Sequence, residues 1–257
     1  MNEEERDKFI DDYMAYINHR FTVRIFENKF PKDYRCSKCG DGFLEFVPDS
    51  FHKYDTLDSA KLFQCEDWEP DWVDYIFSGA LRCVSCCETY IVTGTGKPEE
   101  DIDPEEGRVF SDVFYPKFFL PTINIFPIPH NTPEAISEII KSSFSFAWAD
   151  YSASGNKLRV ALELIVDKLV PNSAKSLGNK INDIPDAQSD IRDMIKVIKW
   201  LGNQGSHEAK LEEYDLAFSF KVIERVLKAL YPDSDDTESL MAHVKMINMS
   251  KGSFAKK

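Results

Sequence analysis

At 257 residues, with 43% hydrophobic and 29% charged side chains, the chain has the composition of a soluble globular protein able to bury one large core or two smaller ones. No apolar run reaches the roughly 18 to 20 residues that a bilayer-spanning helix needs, and the acidic start "MNEEERDKFI" lacks the basic end of a secretory leader, so a cytoplasmic location with reduced thiols is expected. The net charge of −13 is uneven: residues 1–110 carry 25 Asp+Glu against 13 Lys+Arg, and residues 111–257 carry 19 against 18, which disfavours a grip on phosphate backbones by the first half.

In chain order, Phe9, Ile10, Tyr13, Met14 and Ile17 recur at helical spacing and predict an amphipathic helix over 3–20. Residues 34–96 change character, with short β-type runs such as "GFLEFV" and "ETYIVTG", glycine turns and all six cysteines. Within them "CSKC" (Cys36, Cys39) and "CVSC" (Cys83, Cys86) form two CxxC pairs. Each such turn can fill two corners of a zinc tetrahedron, so the expectation is a closed structural Zn2+ site in a zinc-ribbon-like setting. Buried free thiols or a redox dithiol are the alternatives. Cys87 beside Cys86 leaves the register open, and Cys65 stands alone in the insertion "CEDWEPDWVDYIF", whose Trp68 and Trp72 are candidates for an exposed partner-binding patch.

The acidic, proline-containing stretch 97–108 predicts an exposed loop or linker. Residues 111–133 read as an extended, Pro-rich lead-in to a second domain. From Thr132 the pattern is helical: 133–151, then 158–169, with "SASGN" between them as a kink or a close backbone approach. Further helices are expected over 188–201, 212–231 and 236–249. The fold class expected is α+β, mainly α: a small four-cysteine β region (1–110) followed by an antiparallel helical bundle (111–257). Trp148, Trp200, Phe144 and Phe146 are expected in the core or in a dimer interface rather than as platforms for bases.

At the end of the helix expected over 188–201 comes "KWLGNQGSHE" (199–208), where Asn, Gly and His cluster in what reads as a loop. Arg159 and Glu163, four apart on the preceding long helix, share a face. That face could meet Asn203 and His207 as an acid–base cluster, as a ligand pocket, or as a purely structural network.

The paired CxxC motifs, "YPKFFLP", "PEAISEII", "ADYSASGNKLRVALELIVDKL", "LGNKI", "IKWLGNQGSHE" and "DLAFSFKVIERVLKALY", in this order, resemble the bacterial domain of unknown function 4145 (DUF4145) with its N-terminal zinc-knuckle segment. The resemblance spans roughly 34–231. It implies a HEPN-like helical bundle, a homodimer formed through that bundle, and a setting in phage defence or toxin–antitoxin systems. Active HEPN ribonucleases pair an Arg and a polar residue with a His a few residues on, without metal. Here Asn203 and His207 match the polar and His positions, while the Arg position holds Gly202, and the longer spacings fall on Leu201 and Trp200. The reading that follows is a zinc-stabilised interaction module with a protein partner, leaning away from enzymatic activity. An endoribonuclease using His207 and Asn203, with Arg159 lending charge, is the alternative, and a zinc-ribbon nucleic-acid binder the third; RNA is a possible ligand, DNA a poorer one, and a membrane is not expected.

Overall fold

Alternation of buried and exposed side chains along Tyr75–Cys83 and Thr89–Asp103 is the period-2 pattern of strands with one face on a core. In this computed structural model, residues 25–26, 29–32, 34–105, 107–171, 173–208, 211–233, 244–246 and 248–249 are described, with backbone alone over 201–208. The expected helix at 3–20 lies outside them. So does most of the one at 236–249, of which 244–246 and 248–249 are helical.

The strands are β1 (Leu44–Phe46), β2 (His52–Asp55), β3 (Tyr75–Cys83), β4 (Thr89–Asp103) and β5 (Gly107–Leu120). All pair antiparallel, in the order β1-β3-β4-β5, with β2 continuing along the same edge of β3 as β1. A further bridge, Ile25 to Phe114, lies along the outer edge of β5. Phe114 N–H donates to Ile25 there (2.8 Å), and Pro116, two residues on, points its missing N–H the same way, so β5 keeps proline without losing its ladder to β4. On the inner face a Cβ at Gly94 or Gly96 would meet the rings of Phe77 and Phe114 at 2.8 and 2.4 Å. Those two rings occupy the space that the glycines leave.

Residues 97–108 are therefore not the loop or linker that their composition suggests. They form the outer part of a β4–β5 hairpin, paired from Lys97–Val113 to Asp103–Gly107, and β5 runs without a break through residues 110 and 111. β3 accompanies β4 only as far as Gly96; beyond it a 3-10 turn, Pro70–Trp72, lies against β4.

The helices are α1 (Leu57–Leu62), α2 (Glu134–Phe146), α3 (Tyr151–Leu169), α4 (Leu177–Asn182), α5 (Ser189–Glu208) and α6 (Glu213–Leu230). "SASGN" lies inside α3 rather than between two helices. The break falls at 147–150, where Asp150 caps α3 by accepting from Ala153 N–H (2.8 Å). The close approach expected of that stretch is present: Ser154 and Ser143 exchange hydroxyl hydrogen bonds between α3 and α2 (2.9 Å), and a Cβ on Gly155 would stand 2.5 Å from Leu211. α3 and α5 pack against each other, Leu211 beyond α5 lies beside Gly155 of α3, and Lys199 of α5 lies beside Gly178 of α4.

Sheet and helices share one apolar core. Trp148 stacks edge-on against Phe119 of β5 (4.7 Å) and tilts onto Tyr34 (5.8 Å). Phe126 meets Phe144 of α2 (4.9 Å), which meets Phe220 of α6 (5.6 Å). Of the four aromatics expected inside or at an interface, Phe144 and Trp148 are buried. Phe146 is 38% exposed, and Trp200 is 65% exposed on α5.

Candidate metal centre

Two short turns build the site. In the first, Cys36 N–H donates to Gly42 C=O (2.7 Å) and Gly40 N–H returns to Cys36 C=O (2.9 Å). In the second, at the end of β3, Cys83 N–H donates to Glu88 C=O (2.9 Å) and Cys87 N–H returns to Cys83 C=O (3.1 Å). The residue after each CxxC is left-handed, Gly40 at φ 77° and Cys87 at φ 63°. Cys87 thus holds the turn position that Gly40 holds opposite, exposed and outside the cluster, which resolves the register. Since the left-handed region costs a non-glycine residue about 1–2 kcal/mol, Cys87→Gly is expected to raise stability by about 0.5–1 kcal/mol after the glycine entropy term. Metal content should stay unchanged; a loss of metal in this variant, measured by atomic emission, would make Cys87 a ligand.

The sulfurs of Cys36, Cys39, Cys83 and Cys86 all lie within 4.8 Å of one another, the sole group of this kind among the described residues. Cys36 and Cys86 are 3.6 Å apart, Cys39 and Cys83 3.7 Å. A disulfide requires about 2.05 Å, whereas the edge of a tetrahedron with metal–sulfur bonds of about 2.3 Å is about 3.8 Å. The spacing fits one four-coordinate metal ion. Gly42 is required beside it, because a Cβ there would lie 2.4 Å from Cys83 Sγ.

The surroundings favour thiolates. Lys38 N–H donates to Cys36 Sγ (3.4 Å) and Ser85 N–H to Cys83 Sγ (3.4 Å). Backbone N–H groups of Gly42 and Asp41 hold the Cys39 thiol down at about 6. Burial opposes ionisation of Cys36, yet the Tyr90 hydroxyl, 3.3 Å from its sulfur, and two backbone amides bring it below the ordinary thiol value. Cys86 goes the other way, to about 12: a bond from the Glu88 amide favours its thiolate, but desolvation and the three neighbouring sulfurs outweigh it. Only a bound cation would let all four sulfurs be thiolates at this spacing. With every corner a protein sulfur, no position is left for water or substrate. Cys65 lies exposed in the turn after α1, apart from the cluster.

The residues singled out in the helical part are disposed differently from expectation. α5 continues as helix through Glu208, so Gly202, Asn203 and His207 are on a helix, not in a loop. The side chains of Asn203 and His207 lie outside the described set. Arg159 and Glu163 form an i,i+4 ion pair on α3 (3.4 Å), both partly exposed. Leu211, beyond the end of α5, lies beside Gly155, four residues before Arg159 on α3.

A pocket of about 440 Å3 opens beside the first cysteine turn, lined by Ser37, Lys38, Asn124, Phe126, His130 and Asp233 among others. Asn124 N–H donates to Ser37 Oγ (2.7 Å) at its wall, tying the metal turn to the segment that leads into the helices. No feature of the sequence marks this pocket, since its lining comes from three separate stretches.

Two family models match the chain. Residues 24–119, which include the four clustered cysteines and most of the sheet, match the domain of unknown function DUF8608, and residues 141–250, from within α2 past α6, match the domain of unknown function DUF4145. The N-terminal segment thus matches a family model of its own. No curated protein and no solved structure matches the chain.

Proposed function

We propose that this chain is a zinc-stabilised protein-interaction module with a HEPN-like helical part, self-associating through its helices and acting in bacterial phage defence or a toxin–antitoxin pair. The observation that carries this reading is the closed four-sulfur cluster. Cys36, Cys39, Cys83 and Cys86 would hold Zn2+ as a cross-link between two turns, and with four protein ligands the ion supplies stability rather than Lewis-acid chemistry. The helical part points the same way. The HEPN resemblance asks for an Arg where Gly202 stands, and without a guanidinium on that turn of α5 the charge that develops on a cleaved phosphodiester has no dedicated stabiliser there.

One observation favours the second reading, a metal-independent endoribonuclease. α3, which carries Arg159 and Glu163, and α5, which carries Asn203 and His207, pack against each other. Incubating the purified protein with a broad RNA panel in EDTA, with His207→Ala alongside, separates the two. The interaction reading expects no cleavage from either protein. Cleavage by the wild type that disappears in His207→Ala would replace it with the ribonuclease and give Arg159 the role of charge stabiliser.

A further inference from the structure

Two acidic stretches of the chain carry exposed apolar side chains. Residues 63–74 contain five carboxylates and no Lys or Arg, and residues 97–112 contain seven against Lys97 and Arg108. The fold brings these two stretches together. Arg108 of β5 donates from Nε to Glu100 of β4 (2.7 Å), lies 3.7 Å from Glu69 through Nη2, and covers the Phe110 ring at 5.0 Å. Glu100 pairs with Phe110 and Ile102 with Arg108 across the hairpin, so all four side chains lie on one face, the face that Glu69 reaches from the Pro70–Trp72 turn.

Around that hub Ile102 is 77% exposed and Trp72 51% exposed. Trp68, next in sequence to Glu69, is 38% exposed, its ring edge-on to Phe63 at 5.0 Å. A large apolar side chain left in water forgoes about 1.5–3 kcal/mol of burial, and crowded carboxylates repel one another. One kind of ligand relieves both: a segment carrying aliphatic side chains and cations together, with ammonium or guanidinium groups among the carboxylates and over the indole faces. A phosphate backbone relieves neither.

We propose that this surface, formed by Trp68, Trp72 and Ile102 within the carboxylates of 63–74 and 97–112, docks a cationic amphipathic segment of a partner protein. The proposal rests on the interaction-module reading above and gives the partner its chemistry.

A synthetic helical peptide of Lys and Leu at i,i+4 spacing is the probe, titrated into the full chain by calorimetry and tryptophan fluorescence. Binding on the order of micromolar is expected. The double variant Trp68→Ala/Trp72→Ala should weaken it at least about tenfold, and Glu66→Gln/Asp67→Asn should flatten its salt dependence. A Lys/Ser peptide of equal charge should bind at least about tenfold more weakly than Lys/Leu. Both tryptophans are partly exposed, so the variants should keep the wild-type melting temperature, which verifies that they fold. Equal affinity for the two peptides, or unchanged affinity in the tryptophan variant, would overturn the proposal and leave a solvated acidic surface. RNA cleavage lost in His207→Ala would instead sink the interaction-module reading, and it leaves the peptide titration as it stands.

Discussion

Cys36→Ser is expected to abolish stoichiometric metal binding and to unfold the sheet. Cys36 is buried at the start of a turn that closes onto Gly42 and meets the approach to β1 through the Arg35–Phe43 bridge. β1 itself has three residues, Leu44–Phe46, too few to hold that turn in place by ladder bonds alone. Structural zinc in four-cysteine and related sites contributes about 10–16 kcal/mol of apparent binding free energy, against a total domain stability of about 5–15 kcal/mol. The wild type should carry one zinc per chain by atomic emission, and a strong chelator should lower its melting temperature steeply. The serine variant should be metal-poor and lack a cooperative sheet transition. Metal-free wild-type protein together with a Cys36→Ser variant of unchanged melting temperature would refute the metal centre.

Trp148→Ala should cost about 3–5 kcal/mol, the usual range for deleting a buried aromatic. The indole lies between Phe119 of β5 and Tyr34, two residues before Cys36, just after α2 ends at Phe146. It touches the sheet, the approach to the metal turn and the helices at once, so no single element can close the cavity that its loss would leave. The shift should appear in one common unfolding transition, with near-ultraviolet circular dichroism, helix signal and metal release moving together. A loss below about 1 kcal/mol, or separate transitions for helix and metal release, would show that the seam contributes little.

The four-cysteine cluster was legible in the sequence because its code is local: two CxxC turns carry their geometry wherever the fold places them. The role of Cys87 was not legible, because only its left-handed backbone sets it apart from Cys86. The outer hairpin was hidden for a different reason. Past Gly96 β4 has no β3 neighbour, so both faces of 99–103 are at least partly open to water, and the apolar–polar alternation that marks a half-buried strand disappears. In "KWLGNQGSHE" two glycines and an asparagine argued for a loop, yet α5 runs on to Glu208. Helix propensity is a weak prior, and neighbouring structure overrides it. Phe144 and Trp148, expected in the core or an interface, are buried. Trp200, on the same kind of pattern, is exposed instead.

The ring of Trp148 also bears on how such a chain can be rearranged by recombination. Two family models meet the chain on either side of residues 120–140, which invites the view of two cassettes joined by a connector. Yet Ile123, Ile125 and Phe126 in that connector are buried in the shared core, and Trp148 from the second cassette rests on Phe119 from the first. A helical cassette moved onto a different N-terminal cassette would carry an unmatched aromatic surface with it. Exchange is therefore restricted to partners that bring a ring or a cavity of the right shape to the position of Phe119.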